Sequence, residues 1–281
     1  MIEGKRSREL ALESYLSSGI PGTVHGMYEI HKKFGKLSWE ELIQPSITLA
    51  SEGFRVTNEL AEALKSEQVK LGKSVNTKKI FFKNGEPLKK DDLLIQTDLA
   101  NTLKLIAIYG SDGFYSGETA KKIALDMSNN GGLITEKDLS GYYSKLRDPI
   151  IFNYKDLKIA SMPPPSSGGL LLGLMLNMLE NFDLSDDPND VKNILIISEI
   201  MQIAFSLRAK HIGDEDFYPV PIENFLSEDI ATELSKNVNT KRTSTNSEIN
   251  NANIIFKENT THFSIIDKYG NAVSNTTTLN T

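Results

Sequence analysis

Apolar positions recur at helical spacing over residues 57–70, 97–109 and 117–129, with polar or Gly-containing loops between them. Residues 5–17 read as an earlier helix, stopped at Ser17-Ser18-Gly19-Ile20-Pro21-Gly22. A second helix is expected near Val24 to Phe34. Ser38-Trp39-Glu40-Glu41 fits a capping box, in which an N-cap serine and a glutamate three residues on satisfy each other's backbone N–H groups. The helix it opens runs toward Ser51, with a break or kink expected at Pro45 and a stop at Gly53. Thr135-Glu136-Lys137-Asp138 opens a short helix by the same capping logic.

The pattern changes after Pro149. Ile150 to Tyr154 and Leu157 to Met162 are β-rich and flank Lys155-Asp156, which predicts a hairpin. Pro163 to Gly169 is a stiff segment entering a helix at about Leu170, and a long helix is expected over 191–211. Residues 238–253 are polar, with almost nothing to bury, and read as a flexible linker. Strand-like stretches then return at Ile254 to Phe256, Thr261 to Asp267 and Ala272 to Leu279. The fold class is therefore α+β, mostly helical, with a late and truncated β-hairpin. The division expected is a helical region over 1–237, a linker over 238–259 and a β-hairpin region over 260–281.

The last hairpin can be put in register. A three-residue loop favours a type I turn closed by a left-handed residue, usually glycine, and Lys268-Tyr269-Gly270 fits it. Asp267 then pairs with Asn271, Ile265 with Val273, His262 with Thr276 and Thr260 with Thr278. Alternation puts Thr260, His262, Ser264, Ser274, Thr276 and Thr278 on one face and Phe263, Ile265 and Val273 on the other. Such a hydroxyl patch has two readings. Threonine is a good strand former and cross-strand threonine pairs are ordinary structural features. A threonine hydroxyl also becomes a nucleophile when a base sits beside it. The α-amino group of an N-terminal threonine, with a pKa of roughly 8, is such a base. Thr260 is internal, so that chemistry requires the chain to cut itself just before it.

Composition narrows the classes. The 281 residues suffice for one large domain or two small ones, and 39% apolar and 24% charged residues are ordinary for a globular protein. A net charge of −6, without basic clusters interleaved with aromatics, argues against a nucleic-acid partner. The absence of cysteine excludes disulfides, thiolate metal sites and a cysteine nucleophile. The most apolar run, Leu170 to Leu179, is about half the roughly 20 residues needed to span a bilayer. The charged stretch Met1 to Leu12 has no apolar core and is no signal peptide.

The hairpin resembles one family. Thr260-Thr261-His262-Phe263-Ser264, Gly270-Asn271-Ala272-Val273 and Thr276-Thr277-Thr278-Leu279-Asn280 look like the motif of the γ-glutamyltranspeptidases, members of the N-terminal-nucleophile hydrolases. Ser18 to Thr23, Asn130 to Thr135, Pro163 to Gly169 and Gly213-Asp214-Glu215-Asp216-Phe217 also resemble family segments, in the family's order, so the likeness covers essentially the whole chain. It implies an αββα fold of which this chain is a fragment: most of the large subunit and the first hairpin of the small one. It implies self-cleavage between Asn259 and Thr260, with Thr260 as nucleophile and new N-terminus. The substrate implied is glutathione or another γ-glutamyl compound, held as an ester on Thr260 before passing to water or an amine. Thr278 would hydrogen-bond to the Thr260 hydroxyl and Asn280 would contact the substrate's α-amino end. No metal or organic cofactor is implied.

Members of the family are about twice as long. They begin with an export signal and an α/β region supplying an arginine for the substrate carboxylate, a role that Arg6 and Arg8 do not match. They continue past the position of Thr281 with the acidic residue, serines and paired-glycine oxyanion hole of the site. The chain alone is therefore expected to be inactive, and to need those segments or a complementing chain. A non-catalytic remnant or split-enzyme subunit and a related β-lactam side-chain acylase are the alternative readings. The family is periplasmic or extracellular; without an export signal this chain is expected in the cytoplasm. Two segments have structural readings: Pro163 to Gly169 as a rigid strand-to-helix turn rather than a substrate wall, and Asp214 to Asp216 as a solvated loop rather than a cation site.

Overall fold

The computed structural model describes residues 10, 11, 14–244 and 260–278. The chain forms two compact units, one of Met1–Lys145 with Asn259–Thr281 and one of Leu146–Glu258.

In the first unit, Ser38 caps the helix Trp39–Glu52 with both halves of the expected box: Glu41 N–H donates to Ser38 Oγ, and Ser38 N–H donates to Glu41 Oε2. The expected break at Pro45 does not occur, and the helix runs through it. The backbone bond lost at Pro45 is offset by packing along the helix Thr97–Tyr109. Ile47 and Ala50 on the first helix and Ala100 and Ile106 on the second are buried, and Trp39 Nε1–H donates to the carbonyl of Ile106 at 2.9 Å. Gly53 ends the first helix at φ 83°, in the region that favours glycine. The pattern over 57–70 resolves into two pieces, Asn58–Ser66 and Gln68–Leu71, hinged at Glu67. A further helix, Val75–Phe81, is too short to carry a periodicity and starts on the cap Ser74. The helices Thr97–Tyr109 and Gly117–Asn129 begin and end where the pattern places them, and Thr135 with Asp138 closes a second capping box. Of the first expected helix, the described part is helical at residues 10 and 11 and forms the 3-10 turn Tyr15–Ser17.

The second unit is built around the helix Gly168–Leu179. The hairpin Ile150–Tyr154 and Leu157–Ser161 leads into it, paired antiparallel from Ile150↔Ser161 to Tyr154↔Leu157. Its strand alternates, with Ile150 and Phe152 buried toward the helix and Ile151 exposed. The central helix packs against the hairpin and the helices Val191–His211, Ile222–Leu226 and Glu228–Ser235. Leu170, Leu174 and Met178 are completely buried there, each contributing about 1.5–3 kcal/mol of transfer free energy. The apolar run too short for a membrane is thus the core helix of this unit. Among the described residues no helix is long and apolar enough to cross a bilayer.

Two glycines set the geometry of this helix. A Cβ on Gly169 would lie 2.3 Å from the carbonyl oxygen of Met162, and one on Gly173 would lie 2.6 Å from Leu226 Cδ2. The first turn therefore abuts the backbone leaving the hairpin. Pro163 and Pro164 are buried between the two, so this stretch is packed as the rigid strand-to-helix turn expected of it.

Candidate active site

The strands Thr260–Ile266 and Ala272–Thr278 pair antiparallel, and every pair falls in the register expected from the loop, from Ile266↔Ala272 out to Thr260↔Thr278. Asp267 organises the loop. Its Oδ1 accepts the N–H groups of Tyr269 at 2.8 Å and Asn271 at 2.9 Å, and its Oδ2 accepts Asn271 Nδ2–H at 2.8 Å. Gly270 takes φ 83° and donates its N–H to the Asp267 carbonyl. These bonds favour the ionised carboxylate, so the Asp267 pKa lies below its ordinary value, first through the Asn271 side chain and then through the loop N–H groups.

The two faces sort as the alternation requires. On the polar face His262 bridges the strands: Nδ1 is 2.8 Å from Thr276 Oγ1, and Nε2 is 3.2 Å from Ser264 Oγ and 3.3 Å from Ser274 Oγ. The imidazole is thus engaged by three hydroxyls of its own hairpin, the hydrogen-bonded strand histidine that a His in this pattern most often is. Thr278 stands two residues after Thr276 and so on the same face, and its backbone partner at the open end of the hairpin is Thr260. The opposite face carries exposed apolar side chains, Phe263 at 42%, Val273 at 55% and Ile265 at 59%, with Asn275 paired to Phe263 and the Thr261–Thr277 pair beyond them.

Two threonines at directly paired positions of a hairpin are an arrangement that a threonine nucleophile and a supporting hydroxyl would need. The profile of the family described as gamma-glutamyltranspeptidase matches residues 1–281. The chain belongs to the γ-glutamyltranspeptidase family. It is 40% identical to the glutathione hydrolase proenzyme of Escherichia coli strain K12, over 99% of this chain and 49% of that protein. It is 38% identical to the glutathione hydrolase proenzyme of Bacillus subtilis strain 168, over 93% of this chain and 47% of that protein. Among solved structures, the γ-glutamyltranspeptidase of Helicobacter pylori superposes with a TM-score of 0.85 at 38% identity, over 89% of this chain and 72% of that one. The chain thus spans about half the length of the curated relatives it matches, and its fold is an α+β fragment of the γ-glutamyltranspeptidase architecture.

Of the four site residues expected in this member of the γ-glutamyltranspeptidase family, the register pairs Thr260 with Thr278, while Asn259 and Asn280 lie outside the described residues. The acidic loop is partly exposed and is paired with a cationic side chain of its own unit. Arg147 occupies it, with Nη2 3.2 Å from Asp214 Oδ1 and 3.3 Å from Asp216 Oδ2, and Nη1 3.6 Å from Glu215 Oε2. A guanidinium satisfies three converging carboxylates as a metal would, and its fixed fork suits them better than a point charge. Arg147 stands far from the loop in sequence, so no local pattern could pair them.

Proposed function

We propose that this chain carries the nucleophile of a glutathione hydrolase and γ-glutamyltransferase, with Thr260 exposed as an N-terminal residue by self-cleavage of the Asn259–Thr260 bond. The reading is supported by the pairing of Thr260 with Thr278, in a chain 38–40% identical to two proteins named glutathione hydrolase proenzyme. In the cut the Thr260 hydroxyl adds to the carbonyl of Asn259. The peptide C–N bond breaks, the freed amine takes the proton, and water opens the resulting ester.

The mature chemistry repeats these steps on an external amide. The free α-amino group of Thr260 accepts the hydroxyl proton as Oγ attacks the γ-carbonyl of the substrate. That proton leaves with the departing amine, and the γ-glutamyl ester on Thr260 passes to water or to an acceptor amine. Thr278 donates or accepts at the Thr260 hydroxyl and orients it, and Asn280 binds the α-amino end of the glutamyl group. Oxyanion donors, worth roughly 3–4 kcal/mol each, and the group that clamps the substrate carboxylate come from the remainder of a full-length protein or from a complementing chain.

The test uses a polypeptide of the relatives' length that contains this chain. Release of p-nitroaniline from γ-glutamyl-p-nitroanilide is expected in the unaltered protein. Mass spectrometry after rapid quenching is expected to find the γ-glutamyl adduct on Thr260. Thr260→Ala abolishes both, and Thr260→Ser retains part of each. Turnover that survives Thr260→Ala, or an adduct on another residue, refutes the assignment.

A further inference from the structure

Among the described residues Glu199 is the one charged side chain that is fully buried, at 1% exposure in the helix Val191–His211. Its partners are unusual. Ser244 donates its backbone N–H to Oε1 at 2.6 Å and its hydroxyl to Oε2 at 2.5 Å, across 45 positions of sequence. Gln202 Nε2 lies 3.5 Å from Oε1, at the limit of a bond. Among the described residues both strong bonds to this buried carboxylate thus come from one residue, a short way past the last described helix of the unit, Glu228–Ser235.

The stretch between that helix and Ser244 is rooted in the core at one point and turned locally at another. Val238 is buried in the core of the unit at 9% exposure. Asn239 Oδ1 accepts the N–H groups of Lys241 at 3.0 Å and Arg242 at 3.2 Å, which folds the chain back on itself. Residues 236–244 therefore form a strap with Val238 as its root and Ser244 as its tip. A buried carboxylate that loses its donors is left desolvated and unpaired, so release of the tip carries a penalty that release of a surface contact does not.

We propose that Glu199 is a latch that holds this strap on the second unit, so that cleavage after the exposed Lys241 and Arg242 waits on release of Ser244 from the carboxylate. The latch stands on the contacts of Glu199 alone and does not depend on Thr260 being a nucleophile.

Proteolysis of an exposed segment tracks how often it opens, and Lys241 and Arg242 place two trypsin sites inside the strap. The experiment is timed trypsin digestion of the whole chain, read by mass spectrometry, beside a thermal melt of each variant. Ser244→Pro removes the N–H donor and the hydroxyl while leaving Glu199 and the helical core in place. It is expected to speed cutting after Lys241 and Arg242 by roughly ten-fold, with cutting at lysines of the first unit unchanged. Glu199→Gln keeps an acceptor oxygen and is expected to fall between the unaltered chain and Glu199→Ala. Equal cutting in the unaltered chain and Ser244→Pro overturns the latch. So does a Ser244→Pro chain cut faster at every site, because the strap would then be part of the unit's global stability rather than a separate catch.

Discussion

Gly168 and Gly169 are adjacent in the first turn of the same helix, yet alanine should have opposite effects at the two. In a helix interior alanine is favoured over glycine by about 0.8–1 kcal/mol. At Gly168 a Cβ would meet only Ser166 Oγ, at 3.5 Å, an ordinary contact, so propensity decides and Gly168→Ala is neutral to stabilising by up to about 1 kcal/mol. At Gly169 the added Cβ would lie 2.3 Å from the Met162 carbonyl oxygen, 3.2 Å from its carbon and 3.3 Å from Ser161 Cβ. Two of these are backbone atoms leaving a paired strand, so no side chain can swing aside. Overpacking of this kind costs about 1–3 kcal/mol, and the absence of a flexible neighbour puts it at the upper end. The net effect of Gly169→Ala is a loss of roughly 1–2 kcal/mol once the propensity gain is subtracted. Urea denaturation of the unaltered chain and both variants, followed by circular dichroism, measures the two changes side by side. If Gly169→Ala is as stable as Gly168→Ala, the close approach of helix and hairpin is wrong. The turn would then lose its structural explanation.

Other expected outcomes rest on separate features. Ser38→Ala removes the hydroxyl half of a complete capping box and should cost about 1 kcal/mol, read as a lower denaturation midpoint at unchanged slope. Arg147→Ala leaves three mutually repelling carboxylates, and its destabilisation should shrink when Asp214 is also changed to Asn; additive effects in that double-mutant cycle would show that the three contacts are not one network. Asp267 has its pKa depressed below the ordinary 3.8 by the Asn271 side chain and the loop N–H groups. Its contribution is therefore fully present above that value and is lost as pH falls through the lower folded value. Protection of the Tyr269 and Asn271 amides, taken as exchange relative to the intrinsic rate at each pH, should fall on acidification below about 3.8 in the unaltered chain, and Asp267→Asn should flatten that fall. Gly270→Val forces a β-branched residue into φ 83° and should disrupt the pairing of Thr260 with Thr278, visible as loss of cross-strand contacts by NMR.

Much of this architecture is legible where the signals are local. The helices Thr97–Tyr109, Gly117–Asn129 and Val191–His211 lie where their patterns place them because each is long enough to repeat its apolar face several times. The register of the last hairpin follows from a single glycine, since a three-residue loop with a left-handed third position leaves one pairing. The helix Ile222–Leu226 spans barely more than one turn and shows no period. Pro45 misleads because the neighbouring helix compensates for its missing donor, which no local rule contains. The grip of Arg147 on the acidic loop and of Glu199 on Ser244 join residues 67 and 45 positions apart, and side-chain pairs at such distances leave no spacing to read. On the hydroxyl face, the pattern groups His262, Ser264, Ser274 and Thr276, while the fact that the imidazole ties them together becomes visible only in three dimensions.

The proposed function turns on one bond, Asn259–Thr260. Sequencing the new N-terminus of the small fragment, in a polypeptide of the relatives' length containing this chain, tests it most directly. The fragment is expected to begin Thr-Thr-His-Phe-Ser, from Thr260 onward, and Thr260→Ala is expected to leave the polypeptide whole. A fragment beginning at any other residue, or an uncut polypeptide that still hydrolyses γ-glutamyl amides, would contradict the assignment of Thr260 as the N-terminal nucleophile.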